Sequence, residues 1–223
     1  MCMEKLATEL RKAPRPIVLG SFLHGSGRST LADLLARELE RLGLDIERIS
    51  SGDVFRELAR EKGKSIDEFI KEITSENSLE VDLEIDKKIK KRIEQALENG
   101  KIPIVDSNLA PFYAGGIRVL VKLDPSIAGK RVYEKKRGTD KTYSSPEEAR
   151  DELEKRTRAD LARYERLARE DWVPEDWKRI YREAVENWGN ENYFHVIVDN
   201  SGSLDESFGK LVKGLCRALG LSE

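Results

Sequence analysis

A chain of 223 residues, 39% of them hydrophobic, is long enough to bury one sizeable core. Charged residues reach 37%, yet they nearly cancel to a formal net charge of -2. That excludes a strongly basic nucleic-acid binder and implies solvated helix faces laced with ion pairs. No run approaches the roughly 18 apolar residues of a membrane span, and Met1 to Leu10 is charged, without the apolar core of a leader peptide. The two cysteines, Cys2 and Cys216, have no metal-ligand spacing. A soluble, cytoplasmic protein with both thiols reduced is expected, with no membrane partner and no strong signal for a nucleic acid.

In chain order, the first ten residues read as a frayed, charged end. Ile17-Val18-Leu19 is then the first of five short apolar runs bounded by Gly, Pro, Asp or Asn, which reads as a buried strand. Next comes Phe22-Leu23-His24-Gly25-Ser26-Gly27-Arg28-Ser29-Thr30, opening a helix over Ser29 to Leu42 that carries Leu31, Leu34, Leu35 and Leu39 and is closed by Gly43. A strand, a glycine-rich turn and a helix N-terminus is the setting of a phosphate-binding loop. Glycines let backbone N–H groups converge on a polyphosphate, and the helix end adds its positive dipole. Gly25, Ser26, Gly27, Arg28, Ser29 and Thr30 are therefore candidate nucleotide-binding residues, with Ser29 the hydroxyl ligand for Mg²⁺. The pattern G-x-x-x-x-G-K-[ST] is broken twice: Phe22 stands at the first Gly and Arg28 at the Lys. The planar fork of Arg28 keeps the charge but prefers bidentate contacts. His24 is a candidate base, although a His in such a loop more often packs or bonds structurally.

The second strand, Ile46 to Ile49, leads into Ser50-Ser51-Gly52-Asp53-Val54-Phe55-Arg56. An Arg one turn into a helix can aim a bidentate fork at a phosphate. A helix over Leu79 to Leu97 ends at Asn99-Gly100, and the third strand, Ile102 to Val105, ends in Asp106-Ser107-Asn108-Leu109-Ala110. Asp106 sits at the C-terminal end of a strand, where ligands bind in open α/β sheets, and can hold Mg²⁺ through water, accept a proton or cap a turn. After the fourth strand, Ile117 to Leu123, comes a polar segment with Arg131 and Arg137, then a loop to Ser145 that suits a closing element. The long helix Pro146 to Leu167 puts Arg156, Asp160 and Arg163 on one face by spacings of four and three. That face is either an ion-pair ladder or a set of phosphate-handling arginines around an acid. All three tryptophans lie between Glu165 and Tyr193, which reads as extra helix packed on the body, or else as a partner surface. A strand at His195 to Val198 and a helix at Ser203 to Leu219, capped by Ser203, close the chain. The continuous apolar strands suit a parallel sheet covered on both faces, and the alternation of strand and helix suits an α/β doubly wound domain.

Together these motifs resemble the cytidylate kinase family of P-loop nucleoside monophosphate kinases, from about residue 15 to 211. The segment from Ser50 to Arg56 resembles the family's S-x-G-x-x-[FY]-R, which implies acceptor contacts from Ser51, Gly52 and Arg56. Arg156, Asp160 and Arg163 are similar to R-x-x-x-D-x-x-R, and Lys130 to Lys141 to the lid, whose Arg is best matched by Arg131. The frame at Asp106 to Ala110 is similar to E-G-R-L-A but holds Asn108 where the family has a phosphate-binding Arg. The resemblance implies a three-layer kinase fold with a five-stranded parallel sheet in the order 2-3-1-4-5. Its core lies at about 15–50, 101–130 and 193–220, its acceptor-binding subdomain at about 51–100, its lid at about 130–165 and an extra insertion at about 166–192. It also implies transfer from ATP with Mg²⁺ to a nucleoside monophosphate, CMP or dCMP first. Catalysis falls to Arg28, Arg131, Arg156, Arg163 and Asp106, and acceptor binding to Ser51, Gly52, Arg56, Asn108 and Asp160. Two alternatives stay open. Asn108 and Asp106 suit a hydroxyl acceptor such as a nucleoside or sugar-like alcohol, and Phe22 with Arg28 suits a nucleotide-binding protein with little catalysis.

Overall fold

The computed structural model describes residues 2–69, 79–135 and 143–221. Helix α1 (Cys2–Lys12) leads to β1 (Ile17–Gly20), α2 (Arg28–Arg41), β2 (Ile46–Ser50) and α3 (Ser51–Glu61). Then come α4 (Leu79–Glu98), β3 (Ile102–Asp106), β4 (Ile117–Lys122), α5 (Pro125–Lys135), α6 (Pro146–Leu167), α7 (Glu175–Glu186), β5 (Val196–Asp199) and α8 (Leu204–Ala218). The five expected strands form one sheet, ordered β2-β3-β1-β4-β5, with every pairing parallel.

Apolar residues on both sides of each central strand explain the layering. On one face Ile17, Leu19, Ile104, Val119 and Val198 meet the stripes of α1, α2 and α8, including Leu10, Leu31, Leu35, Leu211 and Leu215. On the other, Val18, Ile49 and Val105 meet Val54 and Leu58 of α3 and Ile85, Ile89 and Ile93 of α4. Caps fix two helix starts as expected. The Ser145 side chain accepts from the Glu148 amide ahead of Pro146, and Ser203 forms a reciprocal capping box with Glu206. The register sets Leu19 and Ser50 beside Asp106. The C-terminal ends of three strands thus converge on one carboxylate, on the side of the sheet where such folds bind ligands.

Two expectations at the chain ends are corrected. The N-terminal segment is not frayed: Leu6, Ala7 and Leu10 of α1 are buried against the sheet. Nor are the cysteines reduced, because Cys2 and Cys216 form a disulfide between α1 and α8, with Cα atoms 6.6 Å apart. Their sequence separation of 214 residues carries no pairing signal, since connectivity depends on a tertiary contact that spacing does not encode. The bond also removes the cysteines as grounds for a reducing compartment. Among the described residues, no helix is long and apolar enough to cross a membrane.

The extra helix expected between Glu165 and Tyr193 is α7, and it packs on the body. Trp177, Ile180 and Tyr181 join Leu167 and Tyr164 of α6 and Leu79 and Leu83 of α4 in a third apolar cluster. Inside it the Tyr181 hydroxyl donates to Asp86 Oδ2 at 2.8 Å. Burial pushes the Asp86 carboxyl up to about 8, against the lowering effect of that bond.

Two outcomes follow from this packing. Leu10→Ala should destabilise the fold by about 2–5 kcal/mol in urea unfolding, because α1 is docked rather than loose. Asp86→Asn keeps an acceptor for Tyr181 and removes a titration. An acid raised on folding contributes stability below its unfolded pKa near 3.8 and loses it as pH climbs through about 8. The urea midpoint of wild type should therefore fall more than that of the variant across this window.

Candidate active site

The turn after β1 is fixed from several sides. The Ser21 hydroxyl lies 2.8 Å from the Val121 carbonyl and 3.0 Å from that of Leu23, and the Ser21 amide donates to Asn108 Oδ1 at 3.3 Å. Phe22, at the position of the pattern's first glycine, sits in an aromatic nest with its ring centroid 5.4 Å from Trp188 and 5.6 Å from Phe194. Gly25 and Gly27 both take left-handed backbone, with φ of 78° and 81°, which a side chain rarely adopts. At Gly27 there is a second reason for glycine: an added Cβ would lie 2.3 Å from Asn200 Nδ2, the group that donates to the Ser26 carbonyl at 2.7 Å. Sequence reasoning missed Asn200, although its place directly after β5 parallels that of Ser107 after β3.

Gly25 to Thr30 line an open cavity of about 460 Å³, together with Leu23, His24, Asn108, Arg131, Val132, Asn200 and the turn from Gly202 to Leu204. The first turn of α2 opens into it, and a helix's first N–H groups have no helical partners, so the cavity floor is a donor surface suited to an anion.

Arg28 reaches sideways out of this loop. Its Nε donates to Asp106 Oδ1 and its Nη1 to Asn108 Oδ1. A second arginine, Arg48 of β2, donates from Nη2 to Asp106 Oδ2 at 3.3 Å. Asp106 is 2% exposed. Burial alone would raise its pKa, but Arg28, a hydrogen bond from Ser29 and Arg48 outweigh it and hold the carboxyl below the usual range. Ser29 and Asp106 thus present a hydroxyl and an ionised carboxylate side by side, a hard-oxygen pair of the kind Mg²⁺ takes.

A second acidic centre adjoins the first. Asp160 of α6 accepts from His24 Nε2 at 2.7 Å and from Asn108 Nδ2 at 3.4 Å on one oxygen, and from Arg163 Nη2 on the other. Arg163 Nε also lies 3.3 Å from Asp82 Oδ2. Burial raises the Asp160 pKa, yet the His24 bond and the Arg163 charge bring it below the ordinary value. Asp82 is pushed up to about 6, by burial and against Arg163. Asn108 therefore bridges the two centres, bonding Arg28 through its oxygen and Asp160 through its amide.

The structure brings together Gly25 to Thr30, Asp106, Asn108, Asp160 and Arg163. It keeps others apart. Arg131 lines the cavity, but its guanidinium donates to the Asn200 and Gly202 carbonyls at 2.7 and 2.8 Å and so braces the turn after β5. Arg156 is exposed on α6, with no partner among the described residues. Ser51, Gly52 and Arg56 stand at the start of α3, outside the cavity lining, and Arg56 is half exposed and paired with Asp53. Arg137 lies outside the described residues. His24, Arg48 and Asp82 carry more of the site than their sequence positions suggest.

A family model described as an AAA domain matches residues 23–150, more than half of the chain. A cytidylate kinase of Archaeoglobus fulgidus is 32% identical over 81% of this chain and 83% of its own. A cytidylate kinase of Methanosarcina mazei is 53% identical over a shorter stretch, 22% of this chain and 24% of its own. A crystal structure of shikimate kinase from Bacteroides thetaiotaomicron covers 93% of this chain and 99% of its own at a TM-score of 0.45 and 14% identity, too loose a likeness to bear on chemistry. Identity of one residue in three, sustained over four-fifths of the chain, goes beyond a shared loop, and the chain belongs to the cytidylate kinase-like family of P-loop kinases.

Proposed function

We propose that the chain transfers the terminal phosphoryl group of ATP to a small acceptor bound between α3, α4 and α6. The observation that carries the reading is the junction of two centres: a donor-lined loop with Arg28 and Ser29 at Asp106, and an acidic cluster at Asp160, joined by Asn108. Loop amides of Gly25 to Thr30 would hold the donor phosphates. Arg28 would exchange Asp106 and Asn108 for phosphate oxygens, a charge-assisted contact that neutralises the migrating group. Ser29 and Asp106 are the residues that would hold Mg²⁺, which would supply neutralisation of the triphosphate charge. Arg163 and Arg156 would meet the transferring group from α6, while Arg131 keeps the cavity wall in shape. Positioning and electrostatics suffice for direct transfer without a covalent intermediate.

The relatives' names support CMP or dCMP as first acceptor, with Ser51, Gly52, Arg56 and Asp160 around it. A specific observation favours a second reading, a hydroxyl acceptor. Asn108 replaces a cation, and Arg163 and Arg56 are each already matched by carboxylates.

Release of ADP from ATP with Mg²⁺, followed with CMP, dCMP and cytidine, tests the reading. Acceptor-dependent release is expected, and ATP binding without it would leave only a nucleotide-binding protein. Arg28→Ala should lower kcat/KM by about 10²-fold or more. Unchanged kinetics in that variant would remove the loop from the mechanism.

A further inference from the structure

Resting on the phosphotransferase reading above, we propose that Arg48 is a positioning residue for the phosphate loop: it stays on Asp106 as a standing counter-charge, so that Arg28 is free to leave for the donor phosphates.

The two arginines divide one carboxylate between them. Arg28 donates to Oδ1 and Arg48 to Oδ2. Their own surroundings differ. Arg28 opens α2 and lines the cavity, where phosphate oxygens can compete for its guanidinium. Arg48 lies outside that lining, and all three of its nitrogens are committed to the protein. Nε donates to Asp33 Oδ1 of α2 at 2.8 Å. Nη1 donates to the Ile49 carbonyl at 2.8 Å and to that of Ile104 at 3.4 Å, while Nη2 takes Asp106 at 3.3 Å. The strand register explains the reach. Arg48 stands opposite Ile104 and Ser50 opposite Asp106, so the side chain needs to extend only two residues along the sheet. One arginine is therefore anchored in the strands and the other faces the ligand.

Capture of the donor separates Arg28 from Asp106. Asp106 is 2% exposed, and a carboxylate this deep is left without a cation only at large cost. With Arg28 as its sole guanidinium partner, Asp106 would compete with the nucleotide for it. The loop would stay latched, and the apparent affinity for nucleotide would fall with the fraction of unlatched molecules. Arg48 relieves that competition, because it compensates Oδ2 whichever way Arg28 points. The other acceptor for Arg28 is Asn108 Oδ1, a neutral oxygen that yields to a phosphate more readily than a carboxylate does. A neutral partner on one side and a shared carboxylate on the other leave Arg28 ordered but exchangeable.

Calorimetry of ATP binding in EDTA tests this, since no divalent cation then supplies the missing charge. Wild type, Arg48→Gln, Arg48→Lys, Asp106→Asn and the pair Arg48→Gln with Asp106→Asn are compared, and urea unfolding records the stability of each. Arg48→Gln keeps a donor for the strand carbonyls and removes the charge. It should weaken ATP binding by about 10- to 100-fold. Arg48→Lys keeps the charge and should recover most of that loss. In the Asp106→Asn background there is no carboxylate to compensate, so adding Arg48→Gln should leave ATP affinity unchanged. A merely structural tie between α2 and β2 would not give that non-additivity. Wild-type affinity in Arg48→Gln overturns the proposal. So does a loss of affinity in the pair relative to Asp106→Asn alone, a comparison that decides even if Arg48→Gln by itself does not fold. Either result leaves the phosphotransferase reading standing. Failure of wild type to bind ATP overturns both.

Discussion

The buried carboxylate of Asp106 is the constraint on which the arrangement depends. A charge this deep is tolerated only when partners compensate its lost hydration. Its partners come from different elements: Arg28 and Ser29 from the first turn of α2, Arg48 from β2. The desolvation of one side chain therefore fixes the start of the loop helix relative to two strands. It also explains why an arginine can stand where the family pattern has lysine. A lysine ammonium is a single point charge, whereas the guanidinium fork spans Asp106 and Asn108 at once. Asn108 is selected by the same geometry, since an amide can accept from Arg28 while donating to Asp160. Two departures from the pattern are one adaptation seen from both ends.

The third departure has a different cause. Phe22 turns into aromatic rings supplied by the segment around α7 and the approach to β5, Trp188 and Phe194. Edge and tilted ring contacts add to the area buried, so this segment reaches the functional loop directly. The cluster continues through Tyr164 and Tyr181 to Asp86. Packing remote from the cavity is thereby continuous with the wall of the phosphate loop.

The layered fold was legible because its signals are local. Each strand is a short β-branched run between turn residues, and Ser145-Pro146 and Ser203 announce their helices chemically. The glycine loop was legible for the same reason, since left-handed backbone and an N-terminal helix turn are written in adjacent residues. Helix α1 escaped because only Leu6, Ala7 and Leu10 mark its buried face within a highly charged segment. The linkages His24 to Asp160, Arg28 to Asn108 and Arg131 to the turn after β5 join residues 136, 80 and 69 or more positions apart. Spacing along one helix placed Asp160 beside Arg163, but which loop it would face is decided by how α6 lies across the sheet. The motif assigned Arg131 by its place in a lid, whereas three carbonyls of a neighbouring turn compete for the same guanidinium.

The bond between Cys2 and Cys216 has a consequence beyond packing. It closes residues 2 to 216 into one covalent ring. One backbone cut anywhere within it opens the circle but releases no fragment, and the phosphate loop, the acidic helix and the sheet stay tethered as a single molecule. Covalent connection of the elements within the ring is in that sense independent of any one peptide bond, and depends instead on a sulfur pair that lies on the far side of the sheet from α3 and α4.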